Sequence, residues 1–130
     1  MAIQLNHTIL AARDARSSAG WYAELFGLEA PEHLPPFWQV KTANEVNLDF
    51  IDHDPVEYGE IEPRHLAFLI AEDDFDAIFG KVLERGLDHY ADPHKRLSGE
   101  INHHDGGRGV YFEDPDGHWL EIITVPYGGW

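Results

Sequence analysis

A chain of 130 residues is the size of a single domain with its own core, and 43% hydrophobic with 12% aromatic residues is the composition of a globular protein. A formal net charge of −15 leaves nothing to build a basic stripe against a nucleic-acid backbone, so a neutral or cationic small molecule is the expected partner. The absence of cysteine excludes a disulfide framework and a thiol nucleophile, and no apolar run approaches the ~18 residues of a membrane span.

Residues 1–7 lack the basic lead and long apolar segment of a secretory signal, so a cytoplasmic location is expected. Residues 3–11 alternate loosely and predict a strand with His7 in its middle. Residues 13–18 break that pattern and offer Ser17 or Ser18 as a helix N-cap. Trp21, Leu25 and Leu28, with Phe26 beside them, form the stripe of a short helix that Gly27 stops. A proline-rich connection runs from Pro31 to Pro36. Residues 37–42 and 46–51 then predict two paired strands joined by Ala43, Asn44 and Glu45, with Asp49 on the second. Residues 52–63, polar and holding two prolines, read as a linker.

The second half of the chain repeats the first. Residues 64–73 echo residues 6–14, a strand and then an acidic turn, with His65 in the place of His7. Phe75, Ile78, Phe79, Val82 and Leu83 make a second helical stripe that stops at Gly86. Residues 110–112 and 119–124 predict a hairpin around Asp114-Pro115-Asp116-Gly117, where Pro115 presets φ and Gly117 tolerates φ > 0. Leu120-Glu121-Ile122 then aligns with Leu48-Asp49-Phe50. The period is about 58 residues, and the second copy carries about fourteen extra residues between Ala91 and Gly109. The expectation is one domain of two modules, about 1–58 and 59–130.

Each module thus places one histidine on its first strand and one acid on its last. Alternation puts Trp119, Glu121 and Ile123 on one strand face, where a carboxylate beside large apolar groups costs several kcal/mol unless paired or bound to a metal. Pairing the modules about a pseudo-twofold axis would bring His7, His65, Asp49 and Glu121 to one centre. Two imidazoles and one carboxylate with open positions suit non-haem Fe(II), and a second carboxylate would suit Mn, Ni or Zn.

The repeat and its two strand histidines resemble the vicinal oxygen chelate superfamily, which includes glyoxalase I, type I extradiol dioxygenases, fosfomycin-modifying enzymes and bleomycin-resistance proteins. The resemblance implies an α+β fold of two βαβββ modules paired around a metal-centred cavity. His103, Val110-Tyr111, Asp114 to Gly117 and Glu121 are similar to the extradiol signature. It implies His7, His65 and Glu121 as ligands of a divalent metal, Fe(II) first, with Tyr111 and His103 beside the substrate and His104 a close rival to His103. Ring-cleaving members carry a proton-handling histidine near the position of Asp49, with His53 the nearest here. Glyoxalase-like members carry a carboxylate ligand there.

The leading expectation is therefore an extradiol-type dioxygenase acting on a catechol-like small molecule. The alternatives are a glyoxalase-like isomerase or lyase with Asp49 as fourth ligand, and a bleomycin-resistance-type protein that sequesters a drug between Trp21, Trp38 and Trp119. Many ring-cleaving members have two pairs of modules, so the single pair here implies a pocket that is either more open or completed by a second chain, and a homodimer is expected.

Overall fold

The computed structural model describes residues 1–127, which divide into two compact units, Met1–Glu62 and Pro63–Trp130, the second described to Tyr127. Each unit is built on one four-stranded sheet, with strand orders β1-β4-β3-β2 and β5-β8-β7-β6.

In the first unit β1 (His7–Ala12) leads into α1 (Ala15–Phe26) and then β2 (Glu32–Leu34), β3 (Phe37–Lys41) and β4 (Asn47–Asp52), before a single helical turn α2 (Pro55–Tyr58). β1 starts at His7, so this histidine opens the strand instead of lying in its middle. The N-cap of α1 is Asp14, whose carboxylate accepts from Ser17 N at 3.1 Å. Ser17 and Ser18 lie inside the helix, and Ser18 is buried. An Asp caps as well as a Ser, and Asp52 Oδ1 accepts the next free amide, Ala15 N, at 2.8 Å. Gly27 ends the helix in the left-handed region at φ 63°. The proline-rich connection contains β2, which pairs with β3, and the expected linker contains α2.

The second unit repeats the order. β5 (His65–Leu69) is followed by α3 (Glu72–Glu84), β6 (His89–Tyr90), β7 (Gly109–Glu113) and β8 (Trp119–Ile123). In both units the first strand pairs parallel with the last, and the registers match. Ile9 faces Asp49 as Ala67 faces Glu121, and His7 faces Asn47 as His65 faces Trp119. On the neighbouring strand Gln39 faces Asp49 as Tyr111 faces Glu121.

One sheet face of each unit is apolar. Leu10, Val40, Leu48 and Phe50 are buried with Tyr22 and Leu25 of α1, and Phe112, Leu120 and Ile122 are buried with Phe75 and Val82 of α3. The other face carries the histidines and the acids. Phe112→Ala, which empties a fully buried site, is expected to cost roughly 3–5 kcal/mol in urea unfolding. Leu69→Ala, on an exposed side chain, is expected to stay within about 0.5 kcal/mol.

Candidate metal and substrate site

The polar face of the second unit is assembled by strand register. β5 places His65, β7 places Tyr111, and β8 places Trp119 and Glu121 two residues apart on the same side. The start of β5 is fixed by His118, a buried residue of the β7–β8 turn whose Nδ1 accepts from Arg64 N at 3.0 Å. That turn is held by Asp114, whose Oδ1 accepts from Asp116 N and His118 N, each at 2.8 Å.

Glu121 is 2% exposed. Among the described residues its Oε1 has no hydrogen-bond partner, yet it lies 3.3 Å from His65 Nε2. His65 Nδ1 lies 2.8 Å from the carbonyl oxygen of Trp119, and only an N–H can make that bond. In the neutral ring Nε2 therefore carries a lone pair aimed at a carboxylate lone pair. Such a pair is relieved by a proton or by a cation between the two atoms. The donor chemistry fits a divalent metal, because a ligating histidine characteristically gives its other ring N–H to a backbone carbonyl.

Tyr111 is 3% exposed, and its hydroxyl lies 3.0 Å from that of Tyr127. Burial, then the hydrogen bonds with Tyr127 and Glu121, push its ionisation well above the ordinary phenol range, so it stays protonated. Tyr127 donates to Glu121 Oε2 at 3.5 Å. The ring of Tyr111 lies beside His65 (6.2 Å, 17°) and Trp119 (5.8 Å, 26°), and Trp119 in turn beside Tyr90 (5.8 Å, 49°). These rings pack against one another next to the carboxylate. Trp119 Nε1 is buried there without a hydrogen-bond partner among the described residues.

The extra residues of the second unit are ordered into two loops at this face. In the first, burial opposes the charge of Asp92, but the amides of Leu97, His94 and Arg96 outweigh it and hold the carboxyl below its usual range. This loop sets Lys95 Nζ 5.1 Å from the Trp119 ring and 2.6 Å from Glu113 Oε1. In the second, Asn102 pairs with Gly109 through both backbone bonds and donates its side chain to Ala91 O at 2.8 Å. Arg108 ties that loop to α3 through Glu72 and Asp76, each at 2.7 Å. Residues 102–109 are thus anchored at both ends, and not the loose surface loop their glycines suggest. His104 lines a shallow recess, open to solvent, together with Asn102, Arg108, Glu121, Val125 and Tyr127. His103, at the entry to the 3₁₀ turn His104–Gly106, is exposed and does not line it.

In the first unit His7 Nδ1 lies 2.7 Å from Asn6 Oδ1. Asp49 is buried, and its Oδ1 accepts from Gln39 Nε2 at 2.7 Å. The position that holds Tyr111 in one unit thus holds a carboxylate-satisfying amide in the other. His53 Nε2 is 2.7 Å from Gly59 O, in the turn after β4. Among the described residues, neither unit by itself gathers three or more His, Asp or Glu side chains around one point. Sequence patterning singles out neither Tyr127 nor His118. Tyr127 carries no periodic or motif signal, and His118 sits in a turn whose type is set by its neighbours.

The chain resembles proteins of known name along its whole length. The oxidase ChaP-H2 superposes with a TM-score of 0.94 at 54% identity, covering 99% of this chain and 98% of that one. The metallothiol transferase FosB of Shouchella clausii (strain KSM-K16) is 29% identical over 122 residues, 92% of this chain and 79% of its own. A variant of the fosfomycin resistance protein FosX from Listeria monocytogenes, solved with Mn(II) and 1S,2S-dihydroxypropylphosphonic acid, shares the fold at a TM-score of 0.72 and 18% identity, covering 99% of this chain and 95% of that one. The family model matches residues 4–122, and the chain belongs to the glyoxalase/bleomycin resistance protein/dioxygenase superfamily.

Proposed function

We propose that this chain is a metal-dependent enzyme acting on a small molecule with two adjacent oxygens, and that its reaction is oxygen-dependent, of the extradiol type, on a catechol-like ring. The observation that carries this reading is the unpartnered, buried Glu121 Oε1 facing His65 Nε2 at 3.3 Å. His65 and Glu121 are the proposed ligands of the second unit, with His7, the register-equivalent histidine of the first, as the third. A divalent ion held there, Fe(II) first and Mn, Ni or Zn next, would supply Lewis acidity to two vicinal substrate oxygens. The oxidase ChaP-H2, at 54% identity against 29% for the FosB relative, supports oxygen chemistry over thiol transfer.

The protein's own groups divide the remaining work. His65 and Trp119, whose rings flank that of Tyr111, pack against the substrate and exclude water from it. Tyr111, held protonated, hydrogen-bonds the substrate oxygen on which charge develops. His104, on the rim of the recess beside Glu121, is placed to move a proton between substrate and solvent. The active assembly is a homodimer in this reading.

Asp49 decides the runner-up reading. Its register equivalence to Glu121 favours a fourth carboxylate ligand and isomerase or lyase chemistry. Against this, Gln39 already occupies Oδ1, and Asp is one methylene shorter than Glu. A drug-sequestering role fits less well, because Trp38 is stacked on His33 at 4.4 Å with the Arg16 guanidinium 5.2 Å from its centroid.

The test is metal stoichiometry on protein purified without chelators, coupled to an oxygen electrode with a catechol panel. One divalent ion per chain is expected in the wild type. His65→Ala should weaken binding by more than the 10–100-fold that losing a mere supporting residue costs, and full occupancy in that variant would remove the assignment. Asp49→Ala should keep the metal; a loss as severe as that of Glu121→Ala would move the enzyme to the isomerase class. Tyr111→Phe should bind metal normally while turnover falls on the order of 10²-fold, whereas unchanged turnover would leave Tyr111 a packing residue.

A further inference from the structure

The segment after β8 is held as firmly as the strand itself. Thr124 N donates to Arg108 O at 3.0 Å, and Arg108 N donates to Thr124 Oγ1 at 2.9 Å. Gly107 lies against the same segment so closely that a Cβ there would come within 2.6 Å of Thr124 Oγ1 and 2.7 Å of Val125 Cγ2. The segment is therefore pinned to the His104 loop, and its next residues carry Tyr127 back over the polar face.

The Tyr127 hydroxyl meets two groups there, Tyr111 at 3.0 Å and Glu121 Oε2 at 3.5 Å. A carboxylate cannot donate, so Glu121 Oε2 accepts from Tyr127, while the Tyr111 hydroxyl bonds Tyr127 and is itself a hydrogen-bonding neighbour of the carboxylate. One carboxylate oxygen is thereby occupied and the other, Oε1, is left open towards His65 Nε2. The two residues differ sharply in exposure: Tyr111 is 3% exposed and Tyr127 60%. The outer phenol is the one that solvent reaches, and the inner one is reached through it.

We propose that Tyr127 is a positioning residue of the metal site, which fixes Glu121 as a one-oxygen ligand and orients the Tyr111 hydroxyl. The inference rests on the metal-dependent reading and adds to it a residue from the segment after the last strand. The assignment follows from how a ligating carboxylate is tuned: the oxygen that does not bind the ion is itself hydrogen-bonded, and this sets the aim and basicity of the one that does. Tyr127 is the described hydroxyl bonded to that second oxygen.

The experiment uses the full chain, wild type and Tyr127→Phe, which keeps the ring and its packing. Tyr58→Phe, an exposed tyrosine of the first unit, serves as control. Mn(II) binding is read by the loss of the free-ion EPR signal, and the metal-free melting temperature is read alongside. Tyr127→Phe is expected to bind Mn(II) about 10-fold more weakly at an unchanged melting temperature, with Tyr58→Phe unaffected in both. Equal Mn(II) affinity in Tyr127→Phe and wild type would overturn the proposal.

A second readout needs no metal. In the metal-free protein the Tyr111 hydroxyl proton is expected to be protected from exchange and visible by NMR at low temperature, and to shift or be lost in Tyr127→Phe. An unshifted resonance in the variant would overturn the proposal even if the wild type bound no Mn(II), a result that would by itself contradict only the metal-dependent reading.

Discussion

A carboxylate with an unpartnered oxygen, shut away from water on a sheet face, is the constraint on which the rest of the second unit depends. Glu121 is flanked along its strand by Leu120 and Ile122, both fully buried on the opposite face, so the strand cannot turn it outward without exposing the core. A register slip of one residue would exchange the two faces. The parallel pairing with β5 and the antiparallel pairing with β7 therefore fix the acid beside His65 and Tyr111. An Oε1 left without a donor costs a few kcal/mol, a cost that a proton on His65 or a bound cation would reverse.

The two units solve the same geometry differently. Asp49 stands where Glu121 stands, but Gln39 supplies the amide donor that the other unit lacks, and the first unit has no counterpart of the two ordered loops. The shorter acid is already bonded at Oδ1. The longer one keeps an oxygen without a hydrogen-bond partner among the described residues. The duplication built two sheets of one pattern, and the residue facing the acid across the neighbouring strand, Gln39 or Tyr111, separates their roles.

Much of this is legible in the sequence because it is carried by periodicity and repetition. The spacing of His7 and His65, the alignment of Leu48-Asp49-Phe50 with Leu120-Glu121-Ile122, and the Asp-Pro-Asp-Gly turn all survive as register pairs in the structure. The short strands β2 and β6 are not legible. Three residues among prolines and two residues before an insertion carry no measurable alternation, and they are strands only because β3 and β7 offer them an edge. The cap of α1 lies at Asp14 and not at either serine, since Asp14 and Ser17 are equally good caps by type and only the chain direction at Asp14 decides. Tyr127 lies beyond the reach of any repeat argument, because its place depends on Gly107 and Thr124 meeting across the second loop. His118 reads as a turn residue, and its ring bond to Arg64 spans 54 positions of sequence.

The central claim is that Glu121 is kept buried with one oxygen open for a cation, at the expense of stability without one. Thermal unfolding of the wild type and of Glu121→Gln, each without metal and with a saturating divalent ion, tests it directly. The amide keeps the shape and an acceptor for Tyr127 but gives up one carboxylate oxygen as a ligand. The account predicts that metal-free Glu121→Gln melts no lower than metal-free wild type, and that the ion raises the melting temperature of the wild type alone. At about 100 times its dissociation constant the ion would stabilise the wild type by about 2.7 kcal/mol. A variant less stable than the wild type without metal, together with no response of the wild type to any divalent ion, would contradict the account and make Glu121 a structural acid.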